Sequence, residues 1–470
     1  NSGATLELLN TTTTTAASIW SGGVILGSGT LVKSGAGYQD IAWGGGSSTS
    51  LDNFNGTILV NAGTLATNTS TAGSGNANAT IASGAKWDLR TGTMKLNTIE
   101  GSGSFYTSDT GNASELSVGN ANGTSTFNGT ISGTLVSLTK NGSGSLTLTG
   151  NNTYTGTTTV NGGTLKLNSG GRLGGGTYSA NLSVNNDATL HWDGSNAQTI
   201  NANSSTSKFS GSGTGGLLVT GSGQLTIVYH NSYHTFSGPV IIDGGSLKYQ
   251  NTTDLHSVSA SNFTIKNGGQ LTLYSNVGGA NRDTFNGKTV TFDTGGGTFE
   301  ISNGNHLFQG GWSNITVTSA GSGSQITGSG GGFINMQGGL GPNFTVADGA
   351  ADWDLQYSAG WSNGKLVKNG AGTMAFTSTP SGNKDWTINA GTVEIANTAS
   401  INSGTYSANL VNNGTFTYNS TTSQTMSGVI SGTGALVKSN SSTLTLSGTN
   451  TYSGGTTLNA GTLVIGNAAA

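Results

Sequence analysis

Three stretches of this chain align without a gap: 137–167, 365–395 and 435–465. The aligned positions include a lysine near the start of each stretch, and an asparagine and a glycine near its end. These residues are Lys140, Lys368 and Lys438, Asn161, Asn389 and Asn459, and Gly163, Gly391 and Gly461. A regular period of this kind is typical of stacked repeats, in which each unit contacts only its neighbours. The sequence therefore predicts a solenoid rather than a globule around one core.

Weaker copies extend the repeat over most of the chain. Residues 29–65 and 217–249 are degenerate copies, and the segment 175–192 that follows the first full copy returns as 403–419. We expect one elongated solenoid over residues 1–470. Its predicted parts are a degenerate N-terminal repeat 1–65, a full repeat 79–167, a spacer with a degenerate repeat 175–249, irregular coils with longer loops 276–364, and two closing repeats 365–470.

Short strands dominate the local pattern. Leu146 and Leu148 alternate with Ser145, Thr147 and Thr149, which is the two-residue period of a strand with one buried face. Glycine-rich and Asn-Gly turns separate such strands, and no stripe of helical period is present. We expect an all-β, right-handed parallel β-helix of about 20 coils with little or no α-helix, in which like residues stack on one another.

Composition excludes several classes of protein. Charged residues are 7% of the chain and the net charge is −3, so no basic nucleic-acid footprint is present. The chain has no cysteine, which excludes a disulfide scaffold. No apolar run approaches the ~20 residues that span a bilayer. Regularly spaced Leu, Ile, Val and Phe argue against disorder.

Catalytic chemistry has few candidates. Asp352 and Asp354, with Asp348 close by, would share a strand face and could act as an acid–base pair or bind Ca²⁺, although a polar loop edge is the favoured interpretation. His230 and His234 have the spacing of a weak metal pair, and two solvated strand residues are the favoured alternative. We expect no catalytic residue, no bound metal and no cofactor.

The tryptophans have two interpretations. An exposed aromatic strip could bind the apolar faces of sugar rings, whereas packing in the core or under loops is the favoured role. They are Trp20, Trp43, Trp87, Trp192, Trp312, Trp353, Trp361 and Trp386.

The segment 127–140 has the form fsGxIsGtgxLxK, and the segments 142–150, 152–156 and 160–165 continue as GsGxLxLxG, NtYtG and vnxGtL. This order of motifs closely resembles the autotransporter-associated β-strand repeat, also called the passenger-associated transport repeat. A second full match spans 426–463. The resemblance implies a right-handed parallel β-helix that is exported to a bacterial cell surface or beyond it. The repeat indicates fold and export route better than activity.

The two ends of the chain carry no polar cap and lie near the same phase of the larger unit, so the last coil of one molecule could receive the first coil of the next. This pattern predicts a non-enzymatic structural protein that assembles head to tail into a filament. The alternatives are a monomeric passenger acting as an adhesin or stalk, with a polysaccharide or host surface as its partner, and a polysaccharide-active enzyme. The predicted interface consists of Leu6, Leu8, Leu9, Ile19, Leu458, Leu463 and Ile465.

Overall fold

The structure is a computed structural model of the 470-residue chain. It describes residues 3–11, 18–19, 25–41, 51, 53–206, 208–211, 213–230, 233–251, 262–275, 283–284, 288–303, 305–307, 314–329, 333–335 and 341–466. Contacts divide the chain into two compact units, Asn1–Val228 with Ser232–Gly238 and Tyr229–Asn231 with Pro239–Ala470.

The first unit contains two long stacks of parallel strands and the beginning of a third. The first stack is β1 (Thr5–Leu9), β3 (Thr30–Ser34), β5 (Thr57–Val60), β7 (Asn78–Ile81), β9 (Thr98–Gly101), β12 (Ser125–Phe127), β15 (Ser145–Leu148), β17 (Thr164–Ser169), β20 (Thr189–Gly194) and β23 (Gly216–Val219). The second stack is β2 (Ser18–Ile19), β4 (Tyr38–Asp40), β6 (Thr64–Ala72), β8 (Lys86–Leu96), β11 (Ser114–Val118), β14 (Val136–Lys140), β16 (Thr158–Val160), β19 (Leu182–Val184), β22 (Phe209–Gly211) and β25 (His234–Phe236), with β10 (Ser104–Tyr106) and β13 (Thr130–Ile131) branching from β8. The remaining strands are β18 (Thr177–Tyr178), β21 (Gln198–Ala202) and β24 (Gln224–Tyr229).

The second unit has three stacks. The first is β26 (Val240–Asp243), β28 (Asn262–Lys266), β31 (Thr289–Phe292), β34 (Asn314–Val317), β37 (Asn343–Val346), β40 (Leu366–Asn369), β42 (Trp386–Ile388), β45 (Leu410–Asn412) and β48 (Ile430–Ser431). The second is β27 (Ser246–Asn251), β29 (Gly269–Ser275), β32 (Gly297–Ser302), β35 (Ser324–Ser329), β38 (Leu355–Tyr357), β41 (Thr373–Phe376), β43 (Thr392–Asn397), β46 (Thr415–Ser420), β49 (Ala435–Lys438) and β51 (Thr456–Leu458). The third is formed by β30 (Asp283–Thr284), β33 (Asn305–Leu307), β36 (Phe333–Asn335) and β39 (Gly360–Ser362), and, further along the chain, by β44 (Thr405–Tyr406), β47 (Gln424–Met426), β50 (Thr443–Leu446) and β52 (Thr462–Ile465).

In the part of the chain that the structure describes, these stacks form an all-β parallel β-solenoid of about 17 turns. The predicted fold class is confirmed. Helical structure among the described residues is limited to short 3₁₀ turns such as Gly174–Gly176 and Asn402–Gly404. The number of coils differs slightly from the expected value of about 20. The reason is coil length: Thr298 pairs with Gln325 and Gln325 with Gln356, so these coils take 27 and 31 residues.

The core follows from the strand alternation. Leu146 and Leu148 are fully buried, and the same alternation continues through the region predicted to be irregular, where Phe299 and Ile301 have no exposed surface. Aromatic rings also stack between coils, as in Trp87 on Phe105 at 5.6 Å between ring centroids. The core of each unit is thus a set of columns of like side chains, each column running from coil to coil.

Candidate functional site

The lysine shared by the three aligned stretches lies inside the solenoid. Lys140 ends β14 at an inward position and is fully buried. Its Nζ donates to the carbonyl oxygens of Asn141, at 2.6 Å, Gly142, at 3.0 Å, and Gly162, at 3.1 Å. The first two acceptors belong to the lysine's own turn and the third to the turn of the next coil. Because an ammonium group has three N–H donors and no acceptor, this cradle of carbonyls satisfies it completely.

The same cradle occurs at three other lysines, one of them in the degenerate first repeat. All three are fully buried and make two contacts to their own turn and one to the following coil. The contacts are Lys33 Nζ to the oxygens of Ser34 (2.8 Å), Gly35 (2.7 Å) and Ala62 (3.1 Å), Lys368 Nζ to those of Asn369 (3.0 Å), Gly370 (2.8 Å) and Ala390 (3.2 Å), and Lys438 Nζ to those of Ser439 (2.5 Å), Asn440 (2.8 Å) and Ala460 (3.5 Å).

Burial sets the ionisation of these lysines. It lowers the pKa of Lys140 and of Lys368 to about 8, and it also lowers the pKa of Lys33 and of Lys438. Three carbonyl acceptors favour the protonated form and therefore act against this lowering. With a pKa of about 8, Lys140 and Lys368 are mostly protonated at neutral pH. All four lysines clamp one coil to the next, and their role in the repeat is structural.

The asparagine and the glycine of the repeat lie in the same turns as the lysine contacts. Asn161 Nδ2 donates to Asn141 Oδ1 at 2.9 Å and Asn389 Nδ2 to Asn369 Oδ1 at 2.8 Å, so asparagines stack on asparagines as predicted. Gly163 has φ +59°, and a Cβ there would lie 2.1 Å from a backbone oxygen of the preceding coil. The aligned glycine is therefore required both by its left-handed backbone and by the close approach of the coils.

The predicted carboxylate pair does not form. Asp354 is buried, and its two oxygens accept from the backbone N–H groups of Gly349 and Thr373, each at 2.8 Å. Asp352 and Asp348 are exposed, and both Asp352 and Asp354 precede β38 rather than lying on a strand. The shared strand face considered for this pair does not occur. The favoured interpretation, a polar loop edge, describes Asp352, whereas Asp354 orders the turn between two coils.

The two histidines differ from the solvated pair that was favoured. His234 is buried against Phe209, with ring centroids 5.5 Å apart, and burial lowers its pKa to about 3. His230 is half-buried. Within the described residues, no group of three or more His, Cys, Asp or Glu side chains is placed to hold a metal ion.

Most of the described tryptophans pack in the core. Trp87, Trp192, Trp361 and Trp386 are each at most 3% exposed. Trp353 is half-buried, and its Nε1 donates to Glu394 Oε2 at 3.1 Å. The positions Trp20, Trp43 and Trp312 lie outside the described residues.

The predicted end residues carry apolar surface. Leu6 is 38% and Leu9 67% exposed on β1, and Leu458 is 52% and Ile465 50% exposed near the last described strands. Leu8 and Leu463 are half-buried, and Ile19 lies on β2. Their role as an interface stays a prediction.

Sequence reasoning missed a buried charged network in the first unit. Arg90 Nη1 lies 2.7 Å from Asp40 Oδ2, and Asp88 accepts from the Tyr38 hydroxyl at 2.8 Å and from the Ser108 amide at 2.9 Å. Arg90 has φ +49° in the middle of β8, so the network accompanies a bend of that long strand. The partners are one and two coils apart, and no local motif marks them.

A hydroxyl-lined shallow groove crosses the outer surface of β8, β11, β14 and β16. Glu115 lies in it and accepts from Thr93 Oγ1 at 2.9 Å and from Thr139 Oγ1 at 2.5 Å. Among the described residues, no helix is both long and apolar enough to cross a membrane.

The parallel strand stacks and the recurring lysine clamp define a parallel β-solenoid that is built on an internal repeat. The passenger-associated-transport-repeat family matches residues 138–167, 366–395 and 436–465, which contain three of the four lysine clamps. The chain thus contains three passenger-associated transport repeats within a parallel β-helix.

A curated relative is the adhesin BmaC autotransporter of Brucella suis biovar 1 (strain 1330), which is 27% identical over 349 residues. The match covers 72% of this chain and 7% of that protein, so the chain spans only a small part of the relative's length. No solved structure matches the chain.

Proposed function

We propose that this chain is a non-enzymatic, extracellular segment of a bacterial surface protein, a solenoid that works as a stiff spacer and carries an adhesive surface. The observation that carries the proposal is the continuous parallel pairing of coils within each unit, with a buried lysine tying successive turns together at four places. Backbone pairing along the axis resists both pulling and proteolysis, because no single coil can leave without breaking contacts on both sides.

The comparisons support the same proposal. The three family matches are to a repeat of exported passengers, and the relative is named as an adhesin and an autotransporter. A role in adhesion is therefore proposed for this chain together with exposure on the cell surface.

The direct test is to label intact bacteria that express the full-length protein with antibodies raised against residues 79–167. We expect strong labelling without permeabilisation. Antibodies against a cytoplasmic protein provide the control for lysis. Labelling that requires permeabilised cells would contradict extracellular exposure.

Assembly end to end is a second candidate, favoured by the exposed apolar side chains of Leu6, Leu9, Leu458 and Ile465. The coils that carry these side chains can be covered by further coils of the same polypeptide or by a second copy of this chain. Sedimentation of the isolated 470-residue chain distinguishes these occupants.

If copies join end to end, large assemblies form at micromolar concentration, and both Leu9→Lys and Leu458→Lys dissolve them. Leu26→Lys is the matched control, because Leu26 is 59% exposed and lies outside the predicted interface. A monomer at every concentration would refute self-assembly and leave the spacer proposal intact.

A further inference from the structure

The outer surface of one stack in the second unit carries a row of amides and carboxylates. Along β29, β32, β35, β38, β43 and β46 the outward side chains include amides and carboxylates in addition to threonines. We call this surface the amide-rich face and define it by Gln270, Glu300, Gln325, Gln356, Glu394 and Asn419.

An aromatic ring lies across this face. Trp353 precedes β38, yet its Nε1 donates to Glu394 on β43, two coils further on. The indole must therefore cross the intervening strand β41. At that crossing Ala375, which stands between Gln356 and Glu394 in the register, is fully buried although it occupies an outward position. Trp353 is only half-buried, so part of its surface stays open to a ligand.

Amide, carboxylate and hydroxyl groups lie on the strands next to this ring. Asn419 Nδ2 donates to Glu394 Oε1 at 2.9 Å, so the two carboxylate oxygens are held by one indole and one amide. Gln356 Nε2 donates to Thr377 Oγ1 at 3.2 Å on the adjacent coils. Each carboxylate oxygen and each amide oxygen keeps a second lone pair for a further donor. The arrangement thus combines an aromatic platform with acceptors and donors fixed by their neighbours.

A second cluster repeats this chemistry four strands earlier on the same face. Glu300 accepts from Gln270 Nε2 at 2.9 Å, Thr272 Oγ1 at 3.1 Å and Ser329 Oγ at 2.6 Å. On the neighbouring strands, Lys248 Nζ lies 3.7 Å from the ring centroid of Tyr274. Four strand spacings of ~4.8 Å separate Glu300 from Glu394, or roughly 19 Å along the axis. A ligand that meets both clusters must be an extended polymer.

We infer that the amide-rich face binds an extended, uncharged polysaccharide, with Trp353 as the stacking platform and Glu394, Asn419 and Gln356 as hydrogen-bonding partners. Sugar rings present apolar C–H faces to an aromatic ring and hydroxyl groups to amides and carboxylates at the rim. The two carboxylates disfavour a polyanion, because an acidic glycan would bring like charges together without a compensating cation at Glu394. This inference goes beyond the proposed spacer and names a ligand class for its adhesive surface.

The test titrates the full chain with cellohexaose, maltohexaose and laminarihexaose, and with hyaluronan as the acidic comparison, using calorimetry and saturation-transfer NMR. We expect at least one neutral hexasaccharide to bind and hyaluronan not to bind. Trp353→Ala should weaken that binding by about tenfold, and Glu394→Gln should weaken it too, since a charge-assisted acceptor is lost.

Two matched controls keep the test specific to this face. Glu115→Gln changes a carboxylate held by threonines in the hydroxyl-lined groove, and Tyr452→Ala removes a half-buried aromatic ring near the last strands. Both variants should bind the hexasaccharide like the unaltered chain. Circular dichroism of Trp353→Ala establishes that the solenoid is folded, and Trp353→Phe, which keeps a ring, should retain part of the affinity.

The inference is overturned if no neutral hexasaccharide binds, if hyaluronan alone binds, or if Trp353→Ala and Tyr452→Ala have equal effects in folded protein. None of these outcomes touches the proposal of a surface-exposed spacer, whose test is the labelling of intact cells.

Discussion

At the scale of single residues, the unusual feature is a charged group enclosed without a counter-ion. A buried cation is normally matched by a carboxylate, whereas Lys140 is matched by three backbone carbonyls from two turns. Each of these oxygens would be left without its donor if the amine were removed, and unsatisfied buried acceptors are costly. The clamp therefore couples the side chain to the integrity of two coils.

Replacing Lys140 by Met keeps the aliphatic stem and removes the donors. We expect the free energy of unfolding to fall by roughly 2–4 kcal/mol, measured by urea denaturation followed by circular dichroism. Lys166→Met is the control, because Lys166 forms a partly exposed ion pair with Asp193 at 2.7 Å and should cost little. Equal losses in the two variants would contradict the clamp.

Substitutions at two glycines distinguish the cost of left-handed backbone strain from the cost of a steric clash between coils. Gly163→Ala places a methyl group 2.1 Å from a backbone oxygen at φ +59°, whereas Gly84→Ala has φ +79° and no atom within 4 Å of the new methyl group. We expect Gly84→Ala to cost about 1–2 kcal/mol for left-handed strain alone, and Gly163→Ala to cost clearly more. The midpoints of thermal unfolding give the comparison. If both variants unfold at the same temperature, the coils can separate without penalty.

At the scale of strands and turns, buried hydroxyl groups connect neighbouring coils. Tyr154 Oη and Tyr178 Oη each lie 2.7 Å from Thr158 Oγ1, and Tyr178 Oη also donates to the carbonyl oxygen of Gly156 at 2.6 Å. Burial raises the pKa of both phenols above the ordinary value of 10. Their protons are therefore part of the folded structure.

The pH dependence follows from these shifts. Above about pH 10 the tyrosines of the unfolded chain ionise while Tyr154 and Tyr357 stay protonated in the fold, so the free energy of unfolding decreases as the pH rises. The lysines act with the opposite sign, because the unfolded chain binds more protons than Lys140 and Lys368 between about pH 8 and pH 10. We expect greatest stability from these groups near pH 10, measured as urea midpoints from pH 7 to pH 12. A steady decline from pH 7 would contradict the lysine contribution.

The sequence was sufficient for the elements and insufficient for the contacts between them. The alternation at Leu146 and Leu148 predicted buried strand faces, since that period is local. By contrast, Trp353 and Glu394 are 41 residues apart, and their contact depends on the register of three strands. The burial of Asp354 could not be predicted for the same reason: one of its two acceptor contacts is to the amide of Thr373 in the next coil, which no local spacing reveals.

At the scale of the whole molecule, the solenoid is a sum of coils, so it should tolerate loss of a complete coil better than loss of a part. Deleting residues 141–160 removes one coil of twenty residues, because Lys140 pairs with Val160, and it places the Asn-Gly pair at 161–162 directly after Lys140. We expect this variant to keep the β-sheet circular dichroism spectrum and a cooperative urea transition.

The control for this deletion removes residues 151–160, which is half of the same coil. It shifts the inward side chains out of register with both neighbouring coils, and we expect aggregation or loss of the β-sheet signal. If the half-coil deletion is as stable as the full-coil deletion, then the coils do not behave as the units of stability.

The lysine clamp is also directional. Two of its three bonds stay within a turn, and the third always points toward the coil that follows in the sequence. If the following coil is missing, the ammonium group keeps two of its acceptors and its third N–H donor has no partner in the solenoid. The third hydrogen bond of each clamp thus exists only where the following coil is in place, so the two faces of a coil differ in what they require of a neighbour.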